Sequence, residues 1–190
     1  MGLDIHIATD NYEALFSAEY YDIKHGLRNK HRLSRTFCIF MLRRDSYGEP
    51  ELDQIGRIAG VDISPLYNME KYWEEEDIQH KLSFAKNETE REETLKLIQA
   101  DKDTVKDNID QVLNTINSLI DSLSKIDNID RKLNYGTKDT LDYGYYFTDF
   151  NTNKGEGYID NNFGQDLRNF KRFLEFAKAN GRTSVWFYYG

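Results

Sequence analysis

At 190 residues, 14% of them aromatic, the chain can bury one full core and is short for two domains. Its net charge of −8 opposes general binding to nucleic acid or an anionic membrane. No apolar run approaches the ~18 residues of a membrane span, so none is expected.

A lone cysteine, Cys38, rules out a disulfide framework or a thiolate metal cluster within one chain. It sits in the apolar run Thr36–Met41 and reads as a small core residue. Asp4 and His6 interrupt the start and no signal-peptide apolar region follows, so a reducing cytoplasm is the expected compartment. Charge is uneven along the chain. Residues 66–132 hold 16 acidic and 10 basic side chains, whereas residues 20–44 hold one acid, Asp22, and seven bases.

Leu3-Asp4-Ile5-His6-Ile7 alternates with period two. That predicts a strand with Leu3, Ile5 and Ile7 inward and Asp4 and His6 together on the other face. A helical stretch follows within 12–44. Ile23, Leu27, Phe37 and Met41 give it a partial apolar face, and Lys24, Arg28, His31 or Arg32, and Arg35 a basic one. Ser46-Tyr47-Gly48-Glu49-Pro50 is turn chemistry. Glu51–Ala59 reads as a short helix closed by Gly60 as its left-handed cap.

Ser64-Pro65 matches an N-cap followed by proline at the first helical position. No Gly or Pro recurs until Gly136, so two helices are expected between. The first runs from Pro65 to about Lys86, with Met69, Trp73, Ile78 and Leu82 dry; Asn87 could end it, and one unbroken helix through Asn87 is the alternative. Thr89-Glu90-Arg91-Glu92 matches a capping box and starts a second, reaching about Lys125 as one rod roughly 55 Å long.

That rod carries the strongest pattern in the chain. Leu95, Ile98, Val105, Ile109, Val112, Ile116, Leu119, Leu123 and Ile126 fall at alternating steps of three and four, and only Lys102 breaks the series. Leu113 and Ile120 widen the stripe, and the flanking Asp101, Asn108, Thr115 and Ser122 offer no charge pairs. A bundle or hairpin helix fits this better than a zipper. Antiparallel packing on the 65–86 helix covers part of the stripe. The remainder calls for the rest of the chain or a second copy.

Tyr143–Phe150 reads as a strand, Asn151–Gly155 as a turn and Gly157-Tyr158-Ile159 as the returning arm of a hairpin. Phe163, Leu167, Phe170, Leu174 and Ala177 mark a helix ended by Asn180-Gly181. Ser184–Tyr189 is apolar on both faces, as expected of a strand central in a sheet.

Met1-Gly2-Leu3-Asp4-Ile5, the stretch from Tyr21 through His31 and Phe37, Gly144–Phe147, Asp166–Ala179 and Val185–Tyr189 together resemble a group of phage- and prophage-encoded proteins. About half the chain is covered, and residues 66–132 stand apart as an insertion. The resemblance implies an accessory protein of a mobile element and transfers no catalytic residue.

Asp4 and His6, joined by His25 or His31, could hold a divalent metal that activates water. A metal-dependent hydrolase or nuclease using Asp4, His6 and His31 is therefore the enzymatic alternative. The basic patch of Lys24, Arg28, Lys30, Arg32 and Arg35, beside Tyr20, Tyr21 and Phe37, could contact phosphates and stack bases. Net acidity favours its pairing with Glu74, Glu75, Glu76 and Asp77 instead. Gln54–Met69 faintly resembles a helix-turn-helix, with Gly56 at the small position and Gly60 at the turn, but lacks base-reading side chains. Residues 70–93 and 101–130 could act as an acidic nucleic-acid mimic. Asp149, Asp160 and Asp166 are candidates for an acid/base pair, with turn chemistry the simpler account. There is no phosphate-binding loop, nucleophile elbow or His-Glu-x-x-His pair.

The sequence thus leads to an α+β fold. Residues 1–64 and 133–190 form one body around a small, mainly antiparallel sheet, and residues 65–132 form a helical hairpin. The expected function is a non-enzymatic interaction protein without cofactor, contacting a second copy or another protein through the stripe.

Overall fold

A computed structural model describes residues 4–12, 15, 32–42, 49–134, 143–153 and 161–190. The fold is α+β. Strand β1 (Ile5–Thr9) pairs antiparallel with β2 (Val185–Tyr189), Ile5 opposite Tyr189 and Thr9 opposite Val185. Alternation works as expected: Ile5, Ile7, Val185 and Phe187 are buried, while Asp4, His6, Trp186 and Tyr188 occupy the other face.

Among the described residues β2 has one strand neighbour, not the two expected of a central strand. Side-chain and loop groups cover its other edge. Val185 N–H donates to Asn108 Oδ1 at 2.8 Å, and Asn108 Nδ2 donates to the Val185 carbonyl at 2.9 Å. Phe187 N–H donates to the Met69 carbonyl at 2.9 Å. The residue pattern is apolar on both faces, but the structure buries only Val185 and Phe187 fully, and the pattern does not specify what satisfies the strand's edge.

The helices are α1 (Arg35–Leu42), α2 (Glu51–Ala59), α3 (Ser64–Asn68), α4 (Glu75–Ser83), α5 (Glu88–Val105), α6 (Ile109–Leu123), α7 (Tyr143–Tyr146) and α8 (Phe163–Ala179). A 3-10 turn, Ile129–Lys132, follows α6. Helix α2 ends as its sequence dictates, at Gly60 with φ 67°. Helix α8 starts where Asn162 Oδ1 accepts from Gln165 N–H at 2.7 Å, and it ends at Asn180-Gly181. Of the helical stretch expected within 12–44, α1 forms from Arg35 while 32–34 are not helical; residues 13, 14, 16–31 and 43–48 lie outside the described set.

Three of the expected elements are redrawn. The single helix from Pro65 to Lys86 is two, α3 and α4. Between them Met69 gives its carbonyl to Phe187, and Tyr72 stacks on Trp186 with ring centroids 4.0 Å apart, so the chain leaves helical geometry to follow β2. Ser64 is the first residue of α3 and Ile63 its cap, one position earlier than expected.

The rod from 89 to about 125 is broken at 106–108. Asp107 adopts φ 54°, its N–H donates to Ser184 Oγ at 2.9 Å, and Ile109 N–H donates to the Thr183 carbonyl at 3.0 Å. Together with Asn108, these bonds stitch the chain to the entry of β2. Asp and Asn are the residue types that tolerate this left-handed turn. The capping box is also shifted: Asn87 Oδ1 accepts from Glu90 N–H at 2.9 Å, and Glu90 Oε2 accepts from Lys86 N–H at 2.8 Å.

The third correction concerns 143–150, expected as a strand. Tyr146, Phe147 and Phe150 are buried at helical spacing around Phe163, and the segment forms α7 and a turn at Asp149 with φ 51°. The returning arm at 157–159 lies outside the described residues.

Apolar side chains form two clusters. The large one joins the sheet, α1, α2, α3, α6 and α8. Val112, Ile116, Leu119 and Leu123 on α6 are completely buried, and α6 packs chiefly on α8. Each such side chain contributes about 1.5–3 kcal/mol on burial. Lys178 on α8 also pairs with Asp110 on α6. The small cluster is Ile78, Leu82 and Ile98 with Trp73 against it, and it holds α4 to α5. The stretch 65–132 therefore does not project as one hairpin: 109–123 is core, and only 75–105 forms a separate helical pair.

Gly164 fixes the entry of α8. A Cβ there would lie 2.0 Å from the Phe150 carbonyl oxygen, which Arg168 Nη1 holds at 2.9 Å. No side chain fits.

Asn108→Ala strips a buried N–H and a buried carbonyl of their partners. It is expected to lower unfolding free energy by about 2–4 kcal/mol in urea titration, each orphaned group costing about 1–3 kcal/mol. A loss below about 0.5 kcal/mol would show that the strand edge does not depend on it.

Candidate functional site

Asp4 and His6 lie half-buried on the outer face of the sheet, as their alternation requires. His25 and His31, their expected partners, lie outside the described residues. Among the described residues no group of three or more His, Cys, Asp or Glu could hold a metal ion. Of the basic patch, Arg32 is half-buried and Arg35 exposed at the start of α1; Lys24, Arg28 and Lys30 lie outside the described residues. Glu74, Glu75, Glu76 and Asp77 are exposed at the start of α4. Cys38 is buried, and burial pushes its thiol up to about 11, in keeping with a core residue.

The helix-turn-helix likeness dissolves in the structure. Gln54 is buried, donating through Nε2 to the Glu49 and Asn134 carbonyls, both at 2.9 Å. The would-be recognition helix α3 has five residues, with Pro65 and Leu66 buried.

Asp166 is the one strongly perturbed carboxyl among the described residues. Its Oδ1 accepts from Ser34 N–H at 3.0 Å and Asn161 Nδ2 at 2.9 Å. Its Oδ2 accepts from Ser34 Oγ at 2.6 Å and the Tyr146 hydroxyl at 2.7 Å. Burial lifts the group to about 6, against the pull of these four donors. Of the acid trio, Asp149 is exposed while Asp166 is fully buried, and Asp160 lies outside the described residues. The four donors tie the start of α1, α7 and the entry of α8 into one knot. A relay runs alongside: Gln165 Nε2 donates to Asn169 Oδ1 at 2.9 Å, and Asn169 Nδ2 donates to the Arg32 carbonyl at 2.7 Å. Ser34, Tyr146 and Asp166 are all buried, so this arrangement reads as a tie between segments.

A polar cleft of about 410 Å³ separates 126–131 from 147–152. Asp127, Asp130 and Asp149 line it without forming a ligand set.

The stripe residues divide sharply. Ile98, Val105, Ile109, Val112, Ile116, Leu119 and Leu123 are buried within the chain, and Ile126 is half-buried on the large cluster. Leu95 is 43% exposed. The largest uncovered apolar side chains nearby stand outside the stripe: Phe84, at the end of α4, is 66% exposed, and Leu97 on α5 is 69% exposed. They line an open groove of about 310 Å³ with Lys81, Ala85, Glu90, Glu93 and Thr94. Glu90, Glu93, Thr94 and Leu97 share one face of α5 at steps of three and four. Sequence reasoning passed over Phe84 and Leu97. The available signal was that Leu97 cannot share a stripe with Leu95 two residues earlier, which puts an apolar side chain on a polar face.

No protein-family model, curated protein or solved structure matches the chain. No helix among the described residues is long and apolar enough to cross a membrane.

A carboxyl raised in the folded state binds its proton more tightly there than in the unfolded chain. Its contribution to stability is full below the unfolded value near 4 and is lost as pH rises through about 6. Relative to Asp166→Asn, the natural chain is expected to gain stability as pH falls from 6.5 to 4, by at most about 1.4 kcal/mol per pH unit. Urea unfolding across that range checks it; a relative loss would mean the carboxyl is instead held low.

Proposed function

We propose that this is a non-enzymatic interaction protein whose contact surface is the helical pair α4–α5. The observation that carries the reading is the contrast along the stripe. From 109 onward the chain covers its own apolar face, which removes that part of the reason to expect a second copy. The pair 75–105 buries only three apolar residues between its helices and leaves Phe84, Leu95 and Leu97 exposed. Phe84 and Leu97 stand together in one open groove, and adjacent exposed apolar side chains of this size mark a site of association. The resemblance to phage- and prophage-encoded proteins, which leaves residues 66–132 apart, would make the whole chain an accessory protein of a mobile element.

A photo-crosslinking residue placed at Leu97 tests this in the producing cell. A discrete adduct of higher mass is expected at Leu97 and none at Lys125, an exposed position outside the pair. No adduct at Leu97, or equal adducts at both positions, would contradict the reading.

A further inference from the structure

Given that reading of α4–α5 as a contact surface, we infer that the groove between Phe84 and Leu97 receives an amphipathic helix with basic flanks from a different protein. The floor is apolar or small: Phe84, Ala85, Thr94 and Leu97. An apolar floor open along a helix pair suits the anchor residues of a helix laid lengthwise, spaced three and four apart. The rims select the flanks. Glu90 and Glu93 line the α5 side against the single base Lys81 on the α4 side, and residues 74–97 as a whole carry eight acids against four bases, Lys81, Lys86, Arg91 and Lys96. Glu75, Glu76, Asp77, Glu88, Glu92 and Glu93 are all exposed. A second copy would bring a surface of the same sign against this one, and like charges facing each other disfavour that pairing. A lysine- or arginine-flanked helix gains attraction at the same positions and approaches faster.

The probe is a designed helix of Leu, Ala and Lys with leucines at helical spacing. Two controls accompany it: the same residues shuffled so that no apolar face forms, and the ordered helix with Glu replacing Lys. Binding to the full chain is read by fluorescence anisotropy. The ordered Lys helix is expected to bind at least tenfold more tightly than either control. Phe84→Ser and Leu97→Ser are each expected to weaken it at least tenfold, with melting unchanged because both side chains are exposed. Glu93→Lys is expected to weaken the Lys helix and strengthen the Glu helix, a reversal that loss of folding cannot mimic. Light scattering is expected to give a monomer.

Equal binding of the shuffled peptide would reduce the effect to charge alone and overturn the proposal. So would equal binding of the Glu helix, or a dimer that Phe84→Ser or Leu97→Ser dissociates. Failure here with a Leu97 adduct to another protein intact in the cell would sink the partner class and leave the surface standing. Absence of that adduct would sink both.

Discussion

The packing of α6 against α8 is the constraint on which the rest of the structure depends. Four completely buried side chains on α6, with Phe170, Phe173, Leu174 and Ala177 buried on α8, make the centre of the large cluster. The sheet joins two strands 176 residues apart, Thr9 and Val185. A two-stranded sheet of this length is marginal alone and needs helices beneath it. Because α8 leads directly into β2, fixing α8 on α6 places β2, and β2 then captures β1.

The same constraint explains why the chain turns where it does. Helix α6 can reach α8 only if the rod ends before it, and the turn at 106–108 is held by Asp107, Asn108 and Ile109 against residues 183–185. Buried strand edges must find partners. Here a side-chain amide and a loop carbonyl replace the third strand of a larger sheet. Once α6 is taken into the core, α4 and α5 remain outside it, joined to each other by one small apolar cluster and the bond from Trp73 Nε1 to Asp101 Oδ2 at 3.0 Å. A helix pair so lightly tied internally, with Phe84 and Leu97 outward, is the part of the fold that the proposed contact would complete.

Local features were legible from residues alone. Glu51–Ala59, Phe163–Ala179 and the two terminal strands follow from periodicity and from caps within a few positions of the element they end. What was not legible depends on distant partners. Lys102 interrupts the stripe and Asp107-Asn108 suits a turn, but only contact with 183–185 makes that turn worth more than three further helical bonds. Tyr143–Phe150 alternates well enough for a strand until Phe163 supplies a neighbour at helical spacing. In the sequence Asp166 is one of three candidate acids for which turn chemistry is the simpler account. Its burial and its tie to Ser34, 132 positions away, could not be read from local sequence. Phe84 and Leu97 were missed because a search for a stripe discards apolar residues that fall off it.

Native-state hydrogen exchange, resolved to single amides, tests the division between core and helix pair most directly. The account expects amides of 112–123 and 166–177 to share the slowest class, opening only with global unfolding. It expects 78–83 and 91–104 to exchange through a separate opening of lower free energy. Equal protection across both regions, or slower exchange in 91–104 than in 112–123, would contradict it.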